Sequence, residues 1–184
     1  MLKEIVIQAY NYSKEQHKGQ KRKWSKLDYF IHPKAVARIV EDLTKKEHLV
    51  AVALLHDVIE DTDATYLDIV GKFGQRIATL VMELTETPEK RKDRKKTDYL
   101  IDVMNHMSEE ALTVKLADRL HNVRFLEHDI VDKEHYKFVE YYTKQTKDVL
   151  SELKYDKFTY NQKILYDHIA NIIKYVEVKH KRKD

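Results

Sequence analysis

The amino-acid sequence predicts an all-α helical bundle, one domain spanning residues 1–184. Three observations support this. Only 3 Gly and 2 Pro occur in 184 residues, too few of the punctuators that hairpins and tight turns need. Apolar residues recur at three- and four-residue spacing in one segment after another. The length fits one domain with a real core, and no internal repeat, low-complexity linker or composition shift divides it.

Taken in order, Leu2, Ile5, Val6, Ala9 and Tyr10 predict an amphipathic helix over about 2–17. Lys18-Gly19-Gln20-Lys21-Arg22-Lys23 ends it, and the aperiodic stretch to Ile31 reads as a loop. Pro33 suits the first position of a second helix, where its missing N–H is no loss; Val36, Ile39, Val40 and Leu43 form its buried stripe. The segment Glu47–Ile59 is apolar on most sides, the mark of a central helix. Thr65 with Asp68 reads as a capping box before a short helix ending near Gly71. Another helix follows Gly74 through Ile77, Leu80, Val81 and Leu84.

Pro88 interrupts the pattern. The basic run Lys90–Lys96 is then expected as a solvated loop leading into a helix with Tyr99, Leu100, Val103 and Met104. Leu112, Leu116, Leu120 and Val123 stripe a helix whose other side carries Lys115, Asp118, Arg119 and Asn122. Helices over about 134–153 and 161–178 follow, and the tail from Lys179 is expected to fray.

The absence of Cys excludes disulfides, thiolate nucleophiles and Cys-based zinc sites. A formal charge of +3, from 34 basic against 31 acidic residues, gives no footprint of a nucleic-acid partner. No apolar run approaches the roughly 20 residues that span a bilayer, and the N-terminus does not read as a signal peptide. The expectation is a soluble, cytoplasmic protein with no nucleic-acid or membrane partner.

Chemistry concentrates in Leu54-Leu55-His56-Asp57-Val58-Ile59-Glu60-Asp61-Thr62. On a helix, Glu60 shares a face with His56, and Asp61 with Asp57. Burying so many ionisable groups is costly unless they are paired or hold a metal. A lone His-Asp dipeptide is usually a hydrogen-bonded core histidine beside a capping acid, and the crowding of Glu60 and Asp61 weighs against that reading. His32, held extended by Pro33, suits a metal ligand and a helix cap equally. An Asp118–Arg119 pair is usually structural, although Asn122 one turn on adds a donor and an acceptor to the Asp118 face. His32, His56, Asp57 and Asp118 together make a mixed nitrogen and oxygen set that suits Mn2+, with Fe2+, Zn2+ or Mg2+ less favoured. Glu60 and Asp61 would orient or deprotonate a water beside it.

From about His17 to Leu126 the sequence resembles the HD superfamily, and within it the (p)ppGpp hydrolase domain of RelA/SpoT-type alarmone enzymes. The matching stretches are His17–Lys23, Tyr29-Phe30-Ile31-His32-Pro33, Leu54–Thr62, Phe73-Gly74 and Lys115-Leu116-Ala117-Asp118-Arg119-Leu120-His121-Asn122. The resemblance implies an HD-domain helical bundle with one Mn2+ that hydrolyses the 3′-pyrophosphate of ppGpp or pppGpp to GDP or GTP and pyrophosphate. It implies His32, His56, Asp57 and Asp118 as metal ligands and Glu60 and Asp61 as the catalytic acids. It implies Arg22 and Lys23 as contacts to the guanine base and Asn122 as a contact to ribose or phosphate. With few residues after 130, it implies a stand-alone small alarmone hydrolase. The loop Trp24-Ser25-Lys26-Leu27-Asp28-Tyr29 lacks the Gly and Pro-Tyr usual in the family. That departure leaves two alternatives open: an HD phosphohydrolase acting on another nucleotide (a ppApp-type alarmone, a dNTP or NADPH), or a non-catalytic nucleotide-binding module.

Overall fold

The structure is a computed structural model that describes residues 4–127 and 132–181. The described residues form helices joined by short turns: α1 Glu4–Gln16, α2 Ile31–Thr44, α3 Glu47–Leu55, α4 Val58–Asp61, α5 Tyr66–Phe73, α6 Gln75–Leu84, α7 Pro88–Arg91, α8 Lys96–His106, α9 Glu109–Arg124, α10 Lys133–Ser151 and α11 Tyr160–Lys181. No strand occurs among them; one antiparallel bridge, Lys21 to Asp28, pins the loop between α1 and α2.

α3 is the core of the bundle. Every residue from Leu49 to Leu55 is buried, so it has no polar face and must be enclosed. α1, α2, α6 and α9 enclose it, and α11 packs along α9. Thr65 and Asp68 form the expected capping box, with reciprocal side-chain and backbone bonds. Gly74, at φ +82, separates α5 from α6, a left-handed turn that glycine adopts without penalty.

Several elements differ from expectation. The helix predicted over 47–59 breaks at His56-Asp57. The His56 imidazole bonds the Ala53 carbonyl at 2.8 Å, a side-chain capture of backbone that competes with helix propagation, and α4 is a separate single turn. Pro33 is the third residue of α2 rather than the first, which satisfies the same physics because that N–H is also unpaired in a helix. α9 is buried nearly all round, Arg119 included. The Arg119 guanidinium donates to Thr146 Oγ1 of α10 at 2.9 Å, so it does not share the Asp118 face.

The basic run is only partly a solvated loop. Thr87 caps α7, with Pro88 in its first turn. The Lys90 ammonium bonds the carbonyls of Met82 and Thr85 at the end of α6, and Lys96 pairs with Glu86. α11 continues through Lys179 to Lys181, where a frayed tail was expected. The predicted helix start at Leu2 and the last residues, 182–184, lie outside the described residues.

Candidate active site

Three separate elements bring His32, His56, Asp57 and Asp118 together. His32 lies in the first turn of α2, His56 and Asp57 in the break after α3, and Asp118 in the middle of α9. One ligand atom each from His32, His56 and Asp118 lie within 4.8 Å of one another. Asp57 Oδ2 is 3.2 Å from His56 Nε2 and 3.5 Å from His32 Nε2. Asp118 Oδ1 is 3.2 Å from His32 Nε2 and 3.9 Å from His56 Nε2.

The protonation pattern fits a divalent cation. A carbonyl only accepts, so His56 Nδ1 must carry the proton given to Ala53. In the neutral tautomer its Nε2 is a bare lone pair, buried and without a hydrogen-bond partner, facing a carboxylate oxygen. That contact is repulsive unless a cation lies between them. Burial lowers the pKa of His32 more than Asp118 and Asp57 raise it, so that imidazole is neutral. Burial pushes the Asp57 carboxyl up, but the positive charge that the His56 and His32 rings carry when protonated, with the Tyr29 hydroxyl, outweighs it and holds the group below the usual carboxylate range. For Asp118, Lys115 and His32 overcome burial and hold it well below that range. Two imidazoles beside two carboxylates are a donor set that could hold a divalent metal.

A second layer orients these groups, and sequence reasoning gave several of its members no role. The Tyr29 hydroxyl donates to Asp57 Oδ2 at 2.7 Å, and burial raises its pKa far above the ordinary value, so it stays a donor. His121 Nδ1 lies 2.7 Å from His32 Nδ1. Burial, with His32 and Arg22 nearby, pushes the His121 pKa down to about 3, so the ring is neutral and can accept. Lys115 Nζ is 3.3 Å from Asp118 Oδ2. Asn122 donates to Asp118 Oδ1 at 2.6 Å and accepts from Arg22 at 2.9 Å. The sequence signals were membership of the family-like stretches and the offsets, Tyr29 three residues before His32 and His121 three after Asp118.

Glu60 and Asp61 project from α4 and are solvent-accessible. Glu60 accepts the Glu86 backbone N–H at 2.9 Å. Burial, then the nearby Asp57 charge, raises the carboxyl of Asp61. The Glu60 carboxyl is also raised, chiefly by burial, against the pull of the Glu86 N–H and Lys115. A carboxylate whose pKa is raised is a stronger proton acceptor than a free one.

A mainly apolar cavity of about 520 Å3 adjoins this cluster; Arg22, Lys23 and Asn122 line it together with Trp24, Phe125 and Tyr142. The Trp24 ring stacks on His135 at 4.8 Å and 18°. The Arg22 guanidinium lies over the Phe125 ring at 5.2 Å. All the predicted site residues therefore fall in one region: metal cluster, acidic pair and pocket wall.

A helical bundle with a buried His/Asp cluster beside a mainly apolar pocket defines a class of proteins, and comparison with known proteins places this chain within it. The chain belongs to the HD-domain family, whose pattern it matches over residues 9–154. A GTP pyrophosphokinase rsh of Brucella melitensis is 44% identical over 127 residues, 66% of this chain but 17% of that protein. The chain therefore spans about a sixth of the length of the Brucella relative. A guanosine-3′,5′-bis(diphosphate) 3′-pyrophosphohydrolase of Xenopus tropicalis is 38% identical over 125 residues, 66% of this chain and 69% of that protein. A solved structure described as a metazoan ortholog of SpoT that hydrolyzes ppGpp superposes with a TM-score of 0.76 at 28% identity, covering 91% of this chain and 94% of the other. A Listeria monocytogenes structure gives 0.65 at 26% identity, covering 80% and 96%.

Proposed function

We propose that this chain is a Mn2+-dependent hydrolase of the 3′-pyrophosphate of (p)ppGpp, releasing GDP or GTP and pyrophosphate. The observation that carries the reading is His56 Nε2, buried without a hydrogen-bond partner among two carboxylates and the His32 imidazole, next to a mainly apolar cavity of about 520 Å3. The relatives named for the same reaction support it, the Xenopus protein above all because this chain spans most of its length. His32, His56, Asp57 and Asp118 would hold the ion, and Mn2+ suits their nitrogen and oxygen donors. When bound, such an ion polarises a phosphoryl oxygen and acidifies a nearby water.

The chain's own residues do the rest. The base would lie in the pocket against Trp24 and Phe125, with Arg22 and Lys23 at its rim and Asn122 towards ribose and phosphate. Glu60 or Asp61 accepts the proton of the attacking water. The water oxygen bonds to the phosphorus on the ribose 3′-oxygen. The bond from that phosphorus to the 3′-oxygen breaks, the acid returns the proton it took from the water to the 3′-oxygen, and pyrophosphate departs. Positioning and charge neutralisation dominate such a step.

α11 packs along α9, which supports reading 1–184 as one HD-type unit. A nucleotide substrate favours the cytoplasm as its compartment. No described helix is long and apolar enough to cross a membrane.

One observation favours a second reading, the same hydrolysis on another nucleotide. The pocket wall is the loop that departs from the family, and its Trp24 is packed on His135 and Phe138. A panel of ppGpp, ppApp, dNTPs and NADPH with Mn2+, read by pyrophosphate or phosphate release, decides between the two. ppGpp is expected to rank first in kcat/KM. No release from ppGpp with any divalent metal, from folded protein, overturns the proposal.

A further inference from the structure

We propose that Gln20, held by His17, is a positioning residue that latches Asp61 to the nucleotide loop. The inference rests on the hydrolase reading above for its kinetic consequence, but the latch itself stands on geometry. α4 is a single turn of four residues. One turn has no cooperative stability of its own, and its last carbonyls have no intrahelical partner. Gln20 Nε2 donates to the Asp61 carbonyl at 2.8 Å, across 41 positions of sequence.

The remaining contacts follow from donor and acceptor rules. A carbonyl only accepts, so Gln20 must turn its amide nitrogen towards Asp61 and its oxygen towards His17. His17 Nδ1 lies 2.8 Å from that oxygen and must carry the proton. His17 is 2% exposed, and its Nε2 has no hydrogen-bond partner. Its ring packs on Tyr29 with centroids 4.9 Å apart. The imidazole is thus committed to orienting one amide.

Gln20 also anchors the loop. Its backbone carbonyl accepts the Tyr29 N–H at 2.9 Å, closing the segment that the Lys21–Asp28 bridge pins. Arg22 and Lys23 lie in that segment. Movement of the loop that carries the pocket residues therefore pulls on the residue that carries the acid. Gln20 touches neither substrate nor reacting atoms; it acts through Asp61.

Q20E separates the two arms of the latch. The introduced carboxylate still accepts from His17 but turns an oxygen without a proton towards the Asp61 carbonyl. Once protonated, the carboxyl regains a donor. At pH 8, Q20E is expected to lose roughly tenfold or more in kcat on ppGpp with Mn2+, with Mn2+ affinity unchanged. Its kcat relative to the parent chain should rise as pH falls. Q20A should lose kcat with no such recovery. Independently of turnover, amide hydrogen exchange over residues 21–29 and 58–62 should quicken in Q20A while α9 is unaffected. Unchanged exchange in those segments overturns the latch, and so does parental kcat in both variants, or a Q20E deficit that is flat with pH. If the parent chain leaves ppGpp intact, the hydrolase reading fails and the exchange measurement alone decides the latch.

Discussion

His56 and His32 reach the same role by different routes. In His56 the Ala53 carbonyl fixes the proton on Nδ1. In His32 the same nitrogen, Nδ1, faces His121 instead of a backbone carbonyl. A neutral His121 that accepts the His32 Nδ1 proton leaves Nε2 free for a cation, the usual way an outer partner selects a ligand tautomer. His121→Ala is therefore expected to weaken Mn2+ binding about 10–100-fold, measured by titration calorimetry on folded protein; unchanged affinity would show that His121 only fills space. The four residues of the cluster were readable in sequence because each sits in a distinctive local context: His before Pro, His-Asp ending an apolar run, Asp on a leucine-striped helix. Their supports were not. Tyr29 reaches Asp57 over 28 positions, and His121 reaches His32 over 89. No local spacing encodes such pairings.

Among the elements, α5 has the cleanest sequence signature. The Thr65 hydroxyl accepts the Asp68 N–H, and the Asp68 carboxylate accepts the Thr65 N–H. The Thr65 hydroxyl, which donates to the Asp68 carboxylate at 2.6 Å, and the Thr65 N–H hold that carboxyl below its ordinary range. Thr65→Ala should destabilise the chain by about 1 kcal/mol, read as a lower midpoint in urea with an unchanged slope. The ends of α3 and α9 were harder to read. Periodicity marks a boundary only where a helix has a polar face, and α3 has none, so Val58 and Ile59 seemed to continue it. α9 hid its burial for a related reason: Arg119 is polar by type yet enclosed against α10, its guanidinium over the Tyr142 ring at 5.2 Å. In the basic run, Lys90 is drawn inward by the free carbonyls that end α6, a helix-capping role that charge density alone does not reveal.

Across the whole molecule, α2, α3 and α9 meet at the metal cluster, so an ion there cross-links the centre of the bundle. Binding to the folded chain alone stabilises it by mass action. Mn2+ at a hundred times its dissociation constant contributes about 2.7 kcal/mol, a rise in Tm of about 5–10 °C for a chain of this length. EDTA should reverse the shift, and His56→Ala should abolish it. A Tm indifferent to Mn2+ would place the ion elsewhere. At this scale the sequence was most legible, since scarce Gly and Pro and repeated helical spacing already specified an all-helical bundle. What it lacked was the order in which helices surround α3, because that order depends on shape complementarity between faces that look alike in one dimension.

Trp24 is the chain's single tryptophan, and it stands in the wall of the cavity, against the His135 ring. All indole emission from this protein therefore originates at that one wall. The molecule carries its own optical reporter, placed where an entering base would stack, and the filling of the cavity can be followed by light without labelling or altering a residue.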